Sequence, residues 1–185
     1  MHWGLIPHWG ADPSIGNRTI NARAETLTDL PSFKSIVDRR RCIIPADGFY
    51  EWRKEGRRKV PMWVHLRSRE PFGLAGLWDV WRKPDGKRVE SFTIITTEPN
   101  ELVRPIHNRM PVILQREDEE QWLDASRTPF TKAKSLLKSY LMSYWMLTTF
   151  RRSSTQRITM RQIASDLFRT TIWLDLGSCL YCKQY

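Results

Sequence analysis

The chain has 185 residues, 41% hydrophobic and 27% charged, which excludes a disordered polymer and suffices for one domain with a real core. No apolar run approaches bilayer-spanning length, no basic-then-apolar leader opens the chain, and three cysteines are too few for a disulfide scaffold. A reducing, cytoplasmic setting without membrane contact is therefore expected. Thirty Lys and Arg against 20 Asp and Glu leave a net charge of +10, which suits a polyanionic partner or simply a solubilising surface. Nine tryptophans offer flat faces for stacked bases, or core.

In chain order, residues 1–10 read as the end of a strand with nothing ahead to pair it, so an N-terminal segment is expected to be missing. Asp12-Pro13 and Gly16-Asn17 mark a loop. Asn21-Ala22-Arg23-Ala24-Glu25-Thr26 follows, then a weakly helical stretch over 33–37 and the triple Arg39-Arg40-Arg41. The run 41–52 begins β-branched and apolar, is punctuated by Pro45, turns at Asp47-Gly48, and resumes in alternation. It predicts two strand segments joined by a bend. Glu51 stands between Tyr50 and Trp52, on the opposite face of a regular strand. It reads either as a solvent-facing strand residue or as a half-buried acid with a raised pKa.

Glu55-Gly56-Arg57-Arg58 predicts a hairpin turn into a strand over 60–67, which Pro61 places at an edge or bulge. Strands are predicted over 72–81 and 91–97, with a turn at Pro84-Asp85-Gly86-Lys87 between them, and over 112–114. Trp52, Trp63 and Trp78 alternate with polar neighbours and read as core. His107-Asn108-Arg109-Met110-Pro111 reads as a loop, and 117–124 and 131–140 as amphipathic helices. The acidic opening Glu117-Asp118-Glu119-Glu120 suits a helix N-terminus. Short strands at close intervals with few helices predict an antiparallel α+β domain. All 11 prolines lie at or before Pro129, and the composition then turns to Ser, Thr, Arg and Gln. The division expected is a domain over 1–140 and an atypical, loosely ordered or non-native tail over 141–185, with a frameshift near residue 140 as its origin. Cys179-Leu180-Tyr181-Cys182 lacks two further ligands and reads as incidental, and no cofactor or metal is expected.

Five pieces in order carry a resemblance over about 3–140: Trp3-Gly4-Leu5-Ile6-Pro7-His8-Trp9, Asn21-Ala22-Arg23-Ala24-Glu25-Thr26, Ala46-Asp47-Gly48-Phe49-Tyr50-Glu51-Trp52, Ile94-Ile95-Thr96-Thr97 and Ile106-His107-Asn108-Arg109-Met110-Pro111. Together they resemble the SOS-response-associated peptidase (SRAP) family of abasic-site processing proteins. The resemblance implies a β-rich domain with a mainly antiparallel, barrel-like sheet and a basic cleft for single-stranded DNA. It also implies an N-terminal cysteine, exposed by autoproteolysis, whose amine and thiol close a thiazolidine on the abasic aldehyde.

Carried over by motif, the resemblance makes Asn21, Glu51 and His107 catalytic, and Trp3, Trp9, Arg23 and Arg109 DNA-binding. Asn21 would hold the reacting terminus, Glu51 would act on the amine, and His107 would shuttle protons. Arg23 and Arg109 would grip phosphates, and the two tryptophans would flank bases. Taken without the family, Asn21 and His107 read as structural hydrogen-bonding residues and Arg23 equally as an ion-pair partner. The chain departs from the pattern in having His2 and no cysteine at its start. Cys42 reads as a core residue without a free α-amine. The expectation is a monomer that binds abasic single-stranded DNA with impaired crosslinking; a non-catalytic single-stranded DNA-binding module is the alternative.

Overall fold

The computed structural model describes residues 1–140 and 142–149. The bend expected near Gly48 separates β3 (Arg41–Ala46) from β4 (Phe49–Glu55), and it moves the chain from one sheet to another. Gly48 does not take a left-handed φ. It is needed for close approach: a Cβ there would lie 2.8 Å from Trp63 Cε2 and 2.9 Å from Cδ1, inside any ordinary contact.

In the first sheet β3 pairs antiparallel with β6 (Phe72–Arg82), and β6 with β7 (Arg88–Thr97). The far edge of β7 receives β1 (His2–Trp3) and β2 (Asn21–Arg23) end to end, both parallel. On its other side, past the last β6 pair, β7 takes β8 (Met110–Pro111) opposite Thr96 and Thr97. The second sheet is the hairpin β4–β5, with β5 at Arg58–Leu66, extended by β9 (Trp145–Thr149).

The α+β class is as expected, but the barrel is not: among the described residues both sheets are open. The first ends on β3 and on the β1/β2 edge, the second on β4 and β9. The switch at Gly48 is the physical reason, because β4 leaves the sheet that β3 belongs to instead of continuing it. Pro61 also departs from the expectation, since β5 is the central strand of its sheet. The described β9 ladder stops at Met62↔Thr149, one residue short of Pro61, so the missing N–H costs no bond to β9.

Alternation along β6 divides the core. Ala75 and Leu77 face a cluster with Phe33, Ile36, Trp122 and Phe130, while Leu74 and Phe72 face Val64, Met110 and Trp145. The first cluster packs α1 (Pro31–Lys34), α2 (Arg116–Leu123) and α3 (Phe130–Ala133) on the sheet, and the second lies between the sheets. The helix expected over 131–140 is broken after Leu136. There the 97–100 segment takes the carbonyls, with Thr97 Oγ1 donating to Leu137 O (3.5 Å) and Asn100 Nδ2 to Tyr140 O (3.2 Å).

Among the described residues the buried tryptophans are Trp81, Trp122 and Trp145. Trp52, Trp63 and Trp78, expected in the core, are only half-buried, with Arg69 over Trp63 at 4.6 Å and Arg40 over Trp78 at 5.3 Å. Strand alternation could not distinguish the two sets, because in a three-layer fold the outer face of a sheet also carries large apolar residues.

Asp79, wholly buried on β6, ties down the loop after β1. It accepts from the backbone N–H groups of His8 (2.8 Å) and Val80 (2.7 Å) and pairs with His8 Nδ1 (2.9 Å) and Arg40. Strand β9 falls in the stretch read from sequence as an atypical tail. It is held by His65, wholly buried, whose Nδ1 donates to Leu66 O (2.7 Å) and whose Nε2 meets Thr148 Oγ1 (3.0 Å). The expectations for residues 150–185, including Cys179 and Cys182, lie outside the described residues. Among the described residues, no helix is long and apolar enough to cross a membrane.

Candidate functional site

Two of the three residues read as catalytic meet directly. Glu51 projects from β4, where its partner in register is Met62, and its side chain is one-fifth exposed (20%). His107 lies 56 positions later in the chain, on a turn in which its N–H donates to Val103 O (3.0 Å). Its Nδ1 stands 3.7 Å from Glu51 Oε1, with the ring half-exposed. Burial pushes the Glu51 carboxyl above its ordinary value, against the pull of the His107 charge and of the Trp52 N–H. The half-buried acid, one of two readings open from sequence, is thus the one found.

A carboxyl with raised proton affinity beside an accessible imidazole is a pairing suited to moving protons. The ring is also held from behind. Arg109 N–H donates to His107 Nδ1 (3.2 Å), and Arg109 O lies 3.1 Å from the same nitrogen.

Arg109 itself is not an open hand. Its guanidinium forms a two-bond fork with Glu25, Nη1 to Oε1 at 3.0 Å and Nη2 to Oε2 at 2.9 Å, and Nη2 also donates to Thr96 O at 2.6 Å. The side chain is 18% exposed, and its Nε is buried without a partner. The hydrogen bonds from Arg109 hold the Glu25 carboxyl below its usual range, assisted by the charge of Arg23. The expectation of a second free phosphate contact at Arg109 therefore meets a guanidinium already spent on an intramolecular clamp.

Arg23 is exposed on β2, with Thr96 as its register partner, so it borders this clamp while its own side chain projects to solvent. Asn21 is exposed on the same face of β2, two residues back, opposite Ile94. Among the described residues no hydrogen bond joins it to Glu51 or His107. Trp3 is 37% exposed on β1, its Nε1 donating to Ile20 O (2.9 Å), and Trp9 is 51% exposed in the following loop. Trp3 pairs with Phe92 of β7 and Arg23 with Thr96, a separation of about 13 Å along that strand.

Glu25 and Thr96 had no role in the sequence reading although both lie inside quoted motifs. The available signal was an acid two residues after Arg23 and an arginine two after His107. Nothing in a separation of 84 positions reveals that they pair.

The family model for SOS response associated peptidase (SRAP) matches residues 1–152. The chain is 49% identical over 141 residues to abasic site processing protein YoqW of Bacillus subtilis, covering 76% of this chain and 63% of that protein. It is 33% identical over 162 residues to abasic site processing protein HMCES of Gallus gallus, covering 75% of this chain and 48% of the relative. The crystal structure of a protein from Bacteroides thetaiotaomicron superposes with a TM-score of 0.77 at 38% identity, over 80% of this chain and 67% of that one. A mixed α+β fold whose described strands form two open sheets, with a half-buried acid on β4 paired to a histidine, is the class the structure defines. The chain belongs to the SRAP family. It spans about half to two-thirds of the length of the curated relatives it matches.

Proposed function

We propose that the face bearing Arg23, Asn21 and the Glu51–His107 pair binds single-stranded DNA at an abasic site. Arg23 holds a backbone phosphate, and Glu51 and His107 manage protons at the open-chain aldehyde. The observation that carries this reading is the 3.7 Å approach of a half-exposed imidazole to a carboxyl whose proton affinity burial has raised. An aldehyde that accepts an amine needs a proton taken from nitrogen and one delivered to the departing oxygen, and such a pair can do both. The relatives named as abasic site processing proteins support the choice of lesion. Exposed Trp3 and Trp9 supply stacking faces further along β7.

Cys42 is not a candidate for closing a thiazolidine on the abasic aldehyde. That ring needs an α-amine and a thiol on one residue. Cys42 has no free α-amine and is buried in β3.

Fluorescence anisotropy with a labelled abasic single strand, titrated with salt, tests the binding. A denaturing gel of the same mixture tests the covalent step. Affinity should fall as salt rises, and Arg23→Ala should flatten the log–log slope by about 0.7, the share of one single-strand phosphate. Cys42→Ala should leave the gel pattern unchanged. Affinity indifferent to salt and to Arg23→Ala would refute the binding mode, and a retarded band abolished by Cys42→Ala would refute the reading of Cys42.

A further inference from the structure

Beyond Glu51 the β4–β5 hairpin reads Trp52-Arg53-Lys54-Glu55-Gly56-Arg57-Arg58-Lys59, with five cations and one acid in residues 53–59. Residues 54–59 are all exposed, and a Cβ added at Gly56 would meet nothing within 4 Å, so the turn is open on that side. The single acid is already engaged, because Glu55 Oε1 accepts from Arg53 Nε (2.9 Å) and Nη2 (2.5 Å). Among the described residues Lys54, Arg57, Arg58 and Lys59 have no ion-pair partner. At the β6–β7 turn, by contrast, Lys87 Nζ has Asp85 Oδ2 at 3.7 Å and Arg88 Nη2 has Glu90 Oε1 at 3.9 Å.

Register sets two of these cations against each other. Lys54 is the direct cross-strand partner of Lys59. Side chains so placed stand about 4.5–5.5 Å apart at Cβ, and like charges there repel. No acid in the hairpin relieves the pair, so the free protein carries the repulsion as a loss of stability. An anion seated between the two ammonium groups would turn that repulsion into attraction. Lys54 lies three residues beyond Glu51 on β4, about 10 Å along the strand. A DNA strand running along β4 from Glu51 therefore meets the lysine pair within a few nucleotides.

We propose that the end of the β4–β5 hairpin is a second phosphate-binding surface, in which Lys54 and Lys59 together hold the backbone of the DNA strand leading away from the lesion. Arg57 and Arg58 at the turn strengthen the positive field that draws the strand in. The lesion end of this account rests on the function proposed above. The contact itself is with phosphates and needs no lesion.

Salt titrations of anisotropy, run with an abasic single strand and with the intact strand of the same sequence, test the surface. Lys59→Gln should flatten the log–log slope by about 0.7 on both strands, and the double variant Lys54→Gln, Lys59→Gln by about 1.4. Lys87→Gln takes the same charge from the other hairpin and should leave the slope unchanged. Thermal melts of the DNA-free proteins should place Lys59→Gln above wild type, because the facing charge is relieved. A slope unchanged in the hairpin variants would overturn the proposal. Equal flattening in Lys59→Gln and Lys87→Gln would also overturn it, by reducing the effect to net charge. So would a Lys59→Gln protein that melts below wild type, since the unrelieved repulsion would then be absent. If abasic and intact strands bind equally well while the hairpin variants still flatten the slope, the lesion reading fails and the phosphate surface stands.

Discussion

Replacing Gly48 by alanine should disturb this protein through one side chain. The new Cβ would sit 2.8 and 2.9 Å from two carbons of the Trp63 indole and closer still to its Nε1, where ordinary contact begins at 3.4 Å. All three obstructing atoms belong to one rigid ring, so the indole must retreat bodily. That ring stacks on His65 at 4.4 Å between centroids and lies under Arg69 at 4.6 Å. Overpacking of this kind costs about 1–3 kcal/mol, and weakening the cation–π contact adds about 0.5–1. A total of about 2–3 kcal/mol lowers the melting temperature of a domain this size by roughly 5–10 °C. Thermal melts followed by circular dichroism measure it, and the informative comparison is a double-mutant cycle with Trp63→Leu. With the indole gone the alanine should cost under about 1 kcal/mol, a coupling of the size expected for residues in contact. Equal cost in both backgrounds would refute the packing account and return Gly48 to the role of a turn residue. Gly56→Ala is the control: it has nothing within 4 Å of its Cβ but a φ of +60°, so its cost of about 1 kcal/mol should be indifferent to Trp63.

Burial raises the Glu51 carboxyl from the ordinary value of 4.5, so the folded state binds that proton more tightly than the unfolded chain. The resulting stability is complete below the ordinary value and lost as pH rises through the folded one. Glu51→Gln should therefore match wild type near pH 4 in urea melts and exceed it at pH 7; parallel curves across that range would contradict the burial. Asp79→Ala strands two backbone N–H groups together with Arg40 and His8, and should lose about 2–3 kcal/mol in the same melts. A loss under 1 kcal/mol would show the buried carboxylate to be dispensable. Thr148→Val deprives the buried His65 of its Nε2 partner at about 1–2 kcal/mol, and amide exchange should quicken in β9 before β6; uniform protection would deny that this pair holds β9.

The bend at 47–48, the hairpin turn at Gly56 and the acidic start of α2 were legible because each is written in neighbouring residues: a Gly at a tight place, alternation, charge at a helix N-terminus. The raised acid at Glu51 was legible only as one of two readings, since flanking Tyr50 and Trp52 say nothing about which side of the strand is covered. The helix over 131–140 failed because side-chain spacing cannot foresee that Thr97 and Asn100, some 40 positions earlier, will take its last carbonyls.

The amino-acid order alone determined the strand-rich class, the motif set and the basic charge, all of which depend on composition and on contacts a few residues apart. Only the tertiary structure decided that the described strands form two open sheets, that Arg109 is committed to Glu25, and that His107 faces Glu51. The physical reason is that burial and ion pairing are properties of segments 50 to 85 positions apart. Their energies exist only once β7 has brought those segments together.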